Sequence, residues 1–149
     1  MRILVTTDSR TLWLGRTDRP YAFVCPTGGA QFALLLVVGD SSIAPDEQRA
    51  LSEQFVRSGC RHAVCFGPTS SSWDDSIDMV SVMDGVDGRT GPFVMTSWFD
   101  RDPLPEAVDF FADNTGFDEW VPDRFVALVI GGPPDLELQV QHALRARFR

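Results

Sequence analysis

The chain has 149 residues, 44% of them apolar and 23% charged, and carries a net charge of −8. That length and apolar content suit a domain with a core of its own and exclude wholesale disorder. The longest apolar run, residues 32–38, is far short of the ~18 residues a membrane helix needs, and the early polar turn at Thr6, Thr7 and Asp8 speaks against a secretory leader, so the cytoplasm is the expected compartment.

Residues 2–6, 11–15 and 21–25 are short runs rich in β-branched and aromatic residues, separated by turn chemistry. They predict a β-hairpin or meander as a lead-in over residues 1–30. From residue 31 onward, strand and helix alternate four times. Residues 32–38 read as a strand buried on both faces. Pro45 opens a helix with Asp46 and Glu47 in its first turn, Arg57 in its last and Gly59 beyond, as the helix dipole favours. Residues 61–66 predict the second strand. Gly67 and Pro68 then break the chain, and Thr69, Ser70, Ser71 and Ser72 lead into a helix over residues 73–83, with Ser72 as N-cap and Asp75 at the capping-box position. A loop is expected over residues 84–92 and a third strand over residues 93–98. Asp102 is the expected cap of the third helix, with Pro103 at its first position. Residues 125–130 predict the fourth strand, and Asp135 caps the last helix. Four strand–helix units predict an α/β fold in a single domain over residues 1–149: a mostly parallel sheet of about four strands in a Rossmann-like three-layer arrangement.

Charge narrows the partners. Residues 74–123 hold 11 Asp and 2 Glu against Arg89 and Arg101 alone, and the chain has no lysine. Phosphate backbones and anionic lipids are bound by clustered cations, so neither nucleic acid nor a membrane is expected. Such a field attracts a cation or a basic protein surface, although it can equally be a solvated face that aids solubility. Cys25, Cys60 and Cys65 are an odd count in no metal or disulfide spacing. Cys60 and His62 are expected to share a strand face, yet two ligands do not make a zinc site and no metal is expected there.

In a parallel sheet, ligands bind outside the carboxyl ends of the strands. The loops there bring forward Asp40, Ser70, Ser71, Ser72, Trp73, Asp74, Asp75, Asp78, Trp98, Asp100 and Asp102 as binding candidates. Each has a plainer reading. The serines and Asp75 can simply cap a helix, because no glycine-rich fingerprint or lysine accompanies them for phosphate. Trp73 falls in line with Ile77, Val80 and Met83 and reads as a core anchor, whereas Trp98 is the more open ring. No catalytic residue is assigned, since neither His62 nor His142 reaches the serines or Cys65. The leading expectation is therefore a non-enzymatic acidic module that binds a basic protein partner, immunity-like or regulatory, without a cofactor. The alternative is a metal-dependent enzyme on a nucleotide or phosphoester, with Mg²⁺ held by Asp40, Asp74, Asp75 and Asp100. A small-ligand sensor using Trp98 and the serine loop is a third.

Three segments carry a resemblance. Arg57-Ser58-Gly59-Cys60, then Ser71-Ser72-Trp73-Asp74-Asp75-Ser76-Ile77-Asp78, then Phe93-Val94-Met95-Thr96-Ser97-Trp98 with Pro103, Leu104 and Glu106 downstream, resemble a family of small uncharacterised bacterial domains. Ser70 stands where that family has cysteine and Phe99 where it has histidine. The resemblance implies a shared α/β region and no activity.

Overall fold

Seven consecutive apolar residues need cover on both faces of the strand they form. Phe32–Val38 (β3) receives it, and all seven residues are buried. The computed structural model describes residues 1–88 and 91–149; Arg89 and Thr90, part of the loop expected over residues 84–92, lie outside the described residues. Around β3 the chain runs β1 (Arg2–Thr6), β2 (Thr11–Thr17), β3, α1 (Pro45–Arg57), β4 (Cys60–Phe66), α2 (Ser70–Val86), β5 (Met95–Phe99), α3 (Leu104–Asp113), β6 (Arg124–Ile130) and α4 (Leu136–Arg147).

The sheet has six strands in the order β1-β2-β6-β3-β4-β5, so the expectation of about four is corrected. The lead-in hairpin joins the main sheet: β1 and β2 are antiparallel, and β2 runs parallel beside β6 from Thr11 opposite Arg124 to Thr17 opposite Ile130. All other pairings are parallel. Residues 21–25 form no strand. Two adjacent backbone amides there are taken by side chains, Ala22 N–H by Thr17 Oγ1 and Phe23 N–H by Gln54 Oε1, and are not available to a ladder.

Alternation along β3 divides the core in two. Phe32, Leu34 and Leu36 pack with Leu51 and Phe55 of α1, with Trp73 and Ile77 of α2, and with Phe23 of the lead-in. Ala33, Leu35 and Val37 pack with Val108 and Phe111 of α3 and with Val140 and Leu144 of α4. Helices therefore cover both faces. Among the described residues no helix is long and apolar enough to cross a membrane.

Three local expectations change. Phe32 pairs with Cys60 but Ala33 pairs with His62, so Arg61 is an extra residue in β4. This bulge flips the alternation, and Cys60 joins the α1/α2 core while the ring of His62 meets Phe110 and Phe117 on the α3 side. The two do not share a face. α2 begins at Ser70, with Thr69 rather than Ser72 at the cap position, and continues to Val86 through part of the expected loop. The cause is the turn before it. Gly67 sits at φ +127, where a Cβ would lie 2.7 Å from the Val38 carbonyl oxygen, and Ser70 N–H already donates to Gly67 O. Finally, Pro103 and not Asp102 holds the cap position of α3, while Asp135 does hold that of α4.

Candidate functional site

The sheet changes direction between β3 and β6, and the crevice outside such a point is where α/β sheets take ligands. Here it is filled. Gly39 and Asp40 both donate their backbone N–H to Ile130 O, at 2.8 and 3.1 Å. Gly39 lies so close to the loop after β6 that a Cβ would stand 2.7 Å from both Gly131 O and Gly132 Cα. Over this backbone contact the lead-in places Tyr21, whose hydroxyl donates to Asp40 Oδ2. Ser42 donates to Asp40 Oδ1 through its N–H (2.8 Å) and its hydroxyl (2.6 Å), and Arg19 bridges Asp40 and Glu47 at 3.8 and 3.1 Å. The Ser42 hydroxyl first, then Tyr21 and the Ser42 amide, hold the Asp40 carboxyl down to about 2. Burial first, then Asp40, pushes the Tyr21 phenol up to about 12. Asp40 is thus a structural acceptor inside a satisfied network.

The serine loop is the first turn of α2. Ser70, Ser72 and Trp73 commit their backbone N–H groups to Gly67 O and Thr69 O, so these donors do not form a phosphate cradle. Ser70 is fully buried, whereas Ser71 and Ser72 are exposed. Trp73 turns inward and is 1% exposed, the core anchor its spacing predicts. Asp74 follows it inward. Burial raises its carboxyl from the ordinary range, partly offset by a hydrogen bond from Thr96 on β5, with Asp75 and Asp78 adding repulsion. Its Oδ2 and the Ser70 hydroxyl are buried without a hydrogen-bond partner. Cys65 lies near enough to feel the Asp74 charge, and burial pushes that thiol far up, so it is no nucleophile.

Between α1 and α2 the surface opens into a groove of about 680 Å³. Ser71, Ser72 and Asp75 line it together with Glu53, Ser76, Met79, Val80 and Met83. Two side-chain bridges tie its walls, Gln48 Nε2 to Ser72 Oγ at 3.1 Å and Ser52 Oγ to Ser76 Oγ at 2.8 Å. The guanidinium groups beside it are engaged: Arg49 holds Glu53, and Arg57 holds Asp84 and Glu53. Along the 17 residues of α2 there are four aspartates and no cation. Met79 is 61% exposed and Met83 44%.

The remaining candidates stand elsewhere. Trp98 is 54% exposed on the edge strand β5, with Asp100 and Asp102 exposed in the turn after it. The four carboxylates of the Mg²⁺ alternative are not brought together, because Asp40 is tied to Tyr21 and Ser42 while Asp74 is buried against β5. Among the described residues no group of three or more His, Cys, Asp or Glu side chains is placed to hold a metal ion.

The profile of Domain of unknown function (DUF7684) matches residues 16–146. The chain belongs to that family. No curated protein matches it. The DUF7684 match takes in the Tyr21–Asp40 network, the α1/α2 groove and Trp98, while β1 and most of β2 precede it.

In this DUF7684 chain two polar constellations escaped sequence reasoning. The Tyr21, Arg19 and Asp40 cluster joins residues that precede β3 to one that follows it, a contact that no local sequence rule signals. The other centres on His62, which is buried, with Nδ1–H donating to Thr115 O at 3.1 Å and Nε2 accepting from the Ser97 hydroxyl at 2.9 Å. Burial lowers its pKa, so the neutral ring clamps β4 to β5 and to the loop after α3.

Proposed function

We propose that this protein is a non-enzymatic acidic interaction module whose α2 face binds a basic protein partner, in the manner of a regulatory or toxin-neutralising domain of a bacterial cytoplasm. One observation carries the reading: α2 presents aspartates and half-exposed methionines side by side, while the guanidinium groups next to it are already paired. Apolar area beside the negative charge of Asp75 and Asp78, which no ion pair among the described residues compensates, is the surface a cationic protein recognises, the charge giving steering and the methionines giving contact area. The side chains that chemistry would need support an enzyme poorly, since Asp40, His62 and Cys65 are all committed to internal contacts or to the core. Asp74 is buried, so the test uses the exposed Asp75 and the partly exposed Glu53 and Asp78. Partners recovered from the native cell at low salt are titrated against salt, with the wild type and with the triple variant Glu53→Gln, Asp75→Asn and Asp78→Asn. The wild type loses affinity as salt rises, and the variant binds more weakly with a flatter dependence. Unchanged binding by the triple variant ends the acidic-face reading.

A further inference from the structure

We infer that the groove between α1 and α2 seats a cationic amphipathic helix of the partner, a conclusion that rests on the interaction-module reading and adds the seat and the form of the ligand. Two neighbouring helices that leave an apolar furrow between them present what a third helix packs into, ridges entering grooves. The furrow runs along α2 from Ser72 in the first turn to Met83 near the last. At 1.5 Å per residue this is roughly 17 Å, the length of three helical turns. Its apolar contacts, Met79, Val80 and Met83, fall at helical spacing on α2, so they meet apolar residues of a partner repeating every three or four positions. Methionine is unbranched and pliable and accommodates such a row without a preformed pocket for each side chain. The rim decides the charge of the occupant. Glu53 on α1 and Asp75 on α2 face across the furrow; Glu53 holds both Arg57 and the 74%-exposed Arg49 through exposed ion pairs that an incoming cation can replace, whereas Asp75 is in no ion pair among the described residues. An anionic helix or a nucleic acid is repelled here, and a neutral one leaves the rim unanswered.

The probe is an 18-residue peptide of leucine at helical spacing with lysine elsewhere, labelled and titrated by anisotropy against the full chain at moderate salt. A leucine/glutamate peptide of the same pattern and a lysine/leucine peptide of scrambled order serve as comparisons. The patterned cationic peptide binds and the anionic one does not. The variant Met79→Ser with Met83→Ser, which alters no charge, weakens binding about tenfold or more, as losing central apolar contacts does. The variant Glu53→Gln with Asp75→Asn weakens it several-fold and flattens its salt dependence, while Leu138→Ser on α4 changes nothing. Equal binding of the scrambled peptide, together with a silent methionine variant, overturns the helical seat and leaves the acidic module standing as a diffuse electrostatic surface. Failure of every cationic peptide removes both readings. Self-association of the free protein that the methionine variant abolishes also overturns the inference, because the occupant is then a second copy. All substituted side chains are exposed or line the open groove, and circular dichroism verifies that each variant is folded.

Discussion

Tyr21 is the only tyrosine in the chain, so near-ultraviolet absorbance reports its ionisation alone. In the folded protein its phenol is pushed up from 10.0 to about 12, chiefly by burial and next by the bond to Asp40. The folded state therefore keeps the proton to higher pH than the unfolded chain. The associated stability is complete below the ordinary tyrosine value and is lost as pH rises from there through about 12. A rise of that size separates the two protonation states by about 2.7 kcal/mol at ~1.36 kcal/mol per pH unit. Solvent around the half-buried ring reduces the share that appears as stability to about 1–2 kcal/mol. The perturbation is Asp40→Asn. It removes the carboxylate and leaves the burial, so the midpoint falls by about one pH unit and not all the way to the free value. The assay is a rapid pH jump followed by absorbance before unfolding, with far-ultraviolet circular dichroism confirming the fold at each point. A midpoint near that of free tyrosine in the folded wild type would falsify the plug over β3 and β6. So would a midpoint unmoved by Asp40→Asn.

Four further substitutions separate core from surface. Trp73→Ala, at a site 1% exposed, is expected to cost about 3–5 kcal/mol in urea unfolding, whereas Trp98→Ala, 54% exposed, stays within about 1 kcal/mol. Gly39→Ala drives a Cβ against the backbone of Gly131 and Gly132 and costs about 1–3 kcal/mol, read as a lowered thermal midpoint. Asp74→Asn acts through pH. The Asp74 carboxyl is raised in the fold, so the wild type loses stability as pH climbs from the ordinary carboxylate range through the folded value, and the variant shows a flatter urea midpoint across that interval. A wild type that gains stability over the same interval relative to the variant contradicts the burial of Asp74.

The four strand–helix units were legible because they answer to local rules. A seven-residue apolar run has few homes other than a doubly covered strand, and Pro45 followed by two acids opens a helix wherever it occurs. Misreadings arose where one residue type serves two purposes. Serines suit both an N-cap and a first helical turn, and only the turn at Gly67 decides that Ser70 to Ser72 are already helical. Tyr21 to Cys25 has strand composition, but the segment is spent covering Phe32 and Phe55 with Phe23. Of the site, the acidity of α2 could be read from the sequence, but not its methionine face: Met83, in line with Trp73, Ile77 and Val80, reads as core, yet it is 44% exposed and lines the groove with Met79. The inward turn of Asp74 could not, because it depends on Thr96 arriving from another strand. Nor could the Tyr21–Asp40 contact, which follows from the strand order.

The placement of β2 beside β6 has a consequence for how the chain comes into being. Thr11 to Thr17 leaves the ribosome roughly 110 residues ahead of its parallel partner, residues 124–130, and pairings across such a separation are slow. The β1–β2 hairpin is marginal by itself in water, so Leu12 and Leu14, fully buried in the finished protein, wait exposed on the ribosome. β3 waits as well, one long apolar edge bare until β6 slides between it and β2. A nascent chain that stalls or is cut before residue 124 therefore carries two unsatisfied strand edges of high β propensity, the kind that pair with neighbouring chains. Completing β6 joins both edges in one step, so this strand is the chain's own protection against aggregation.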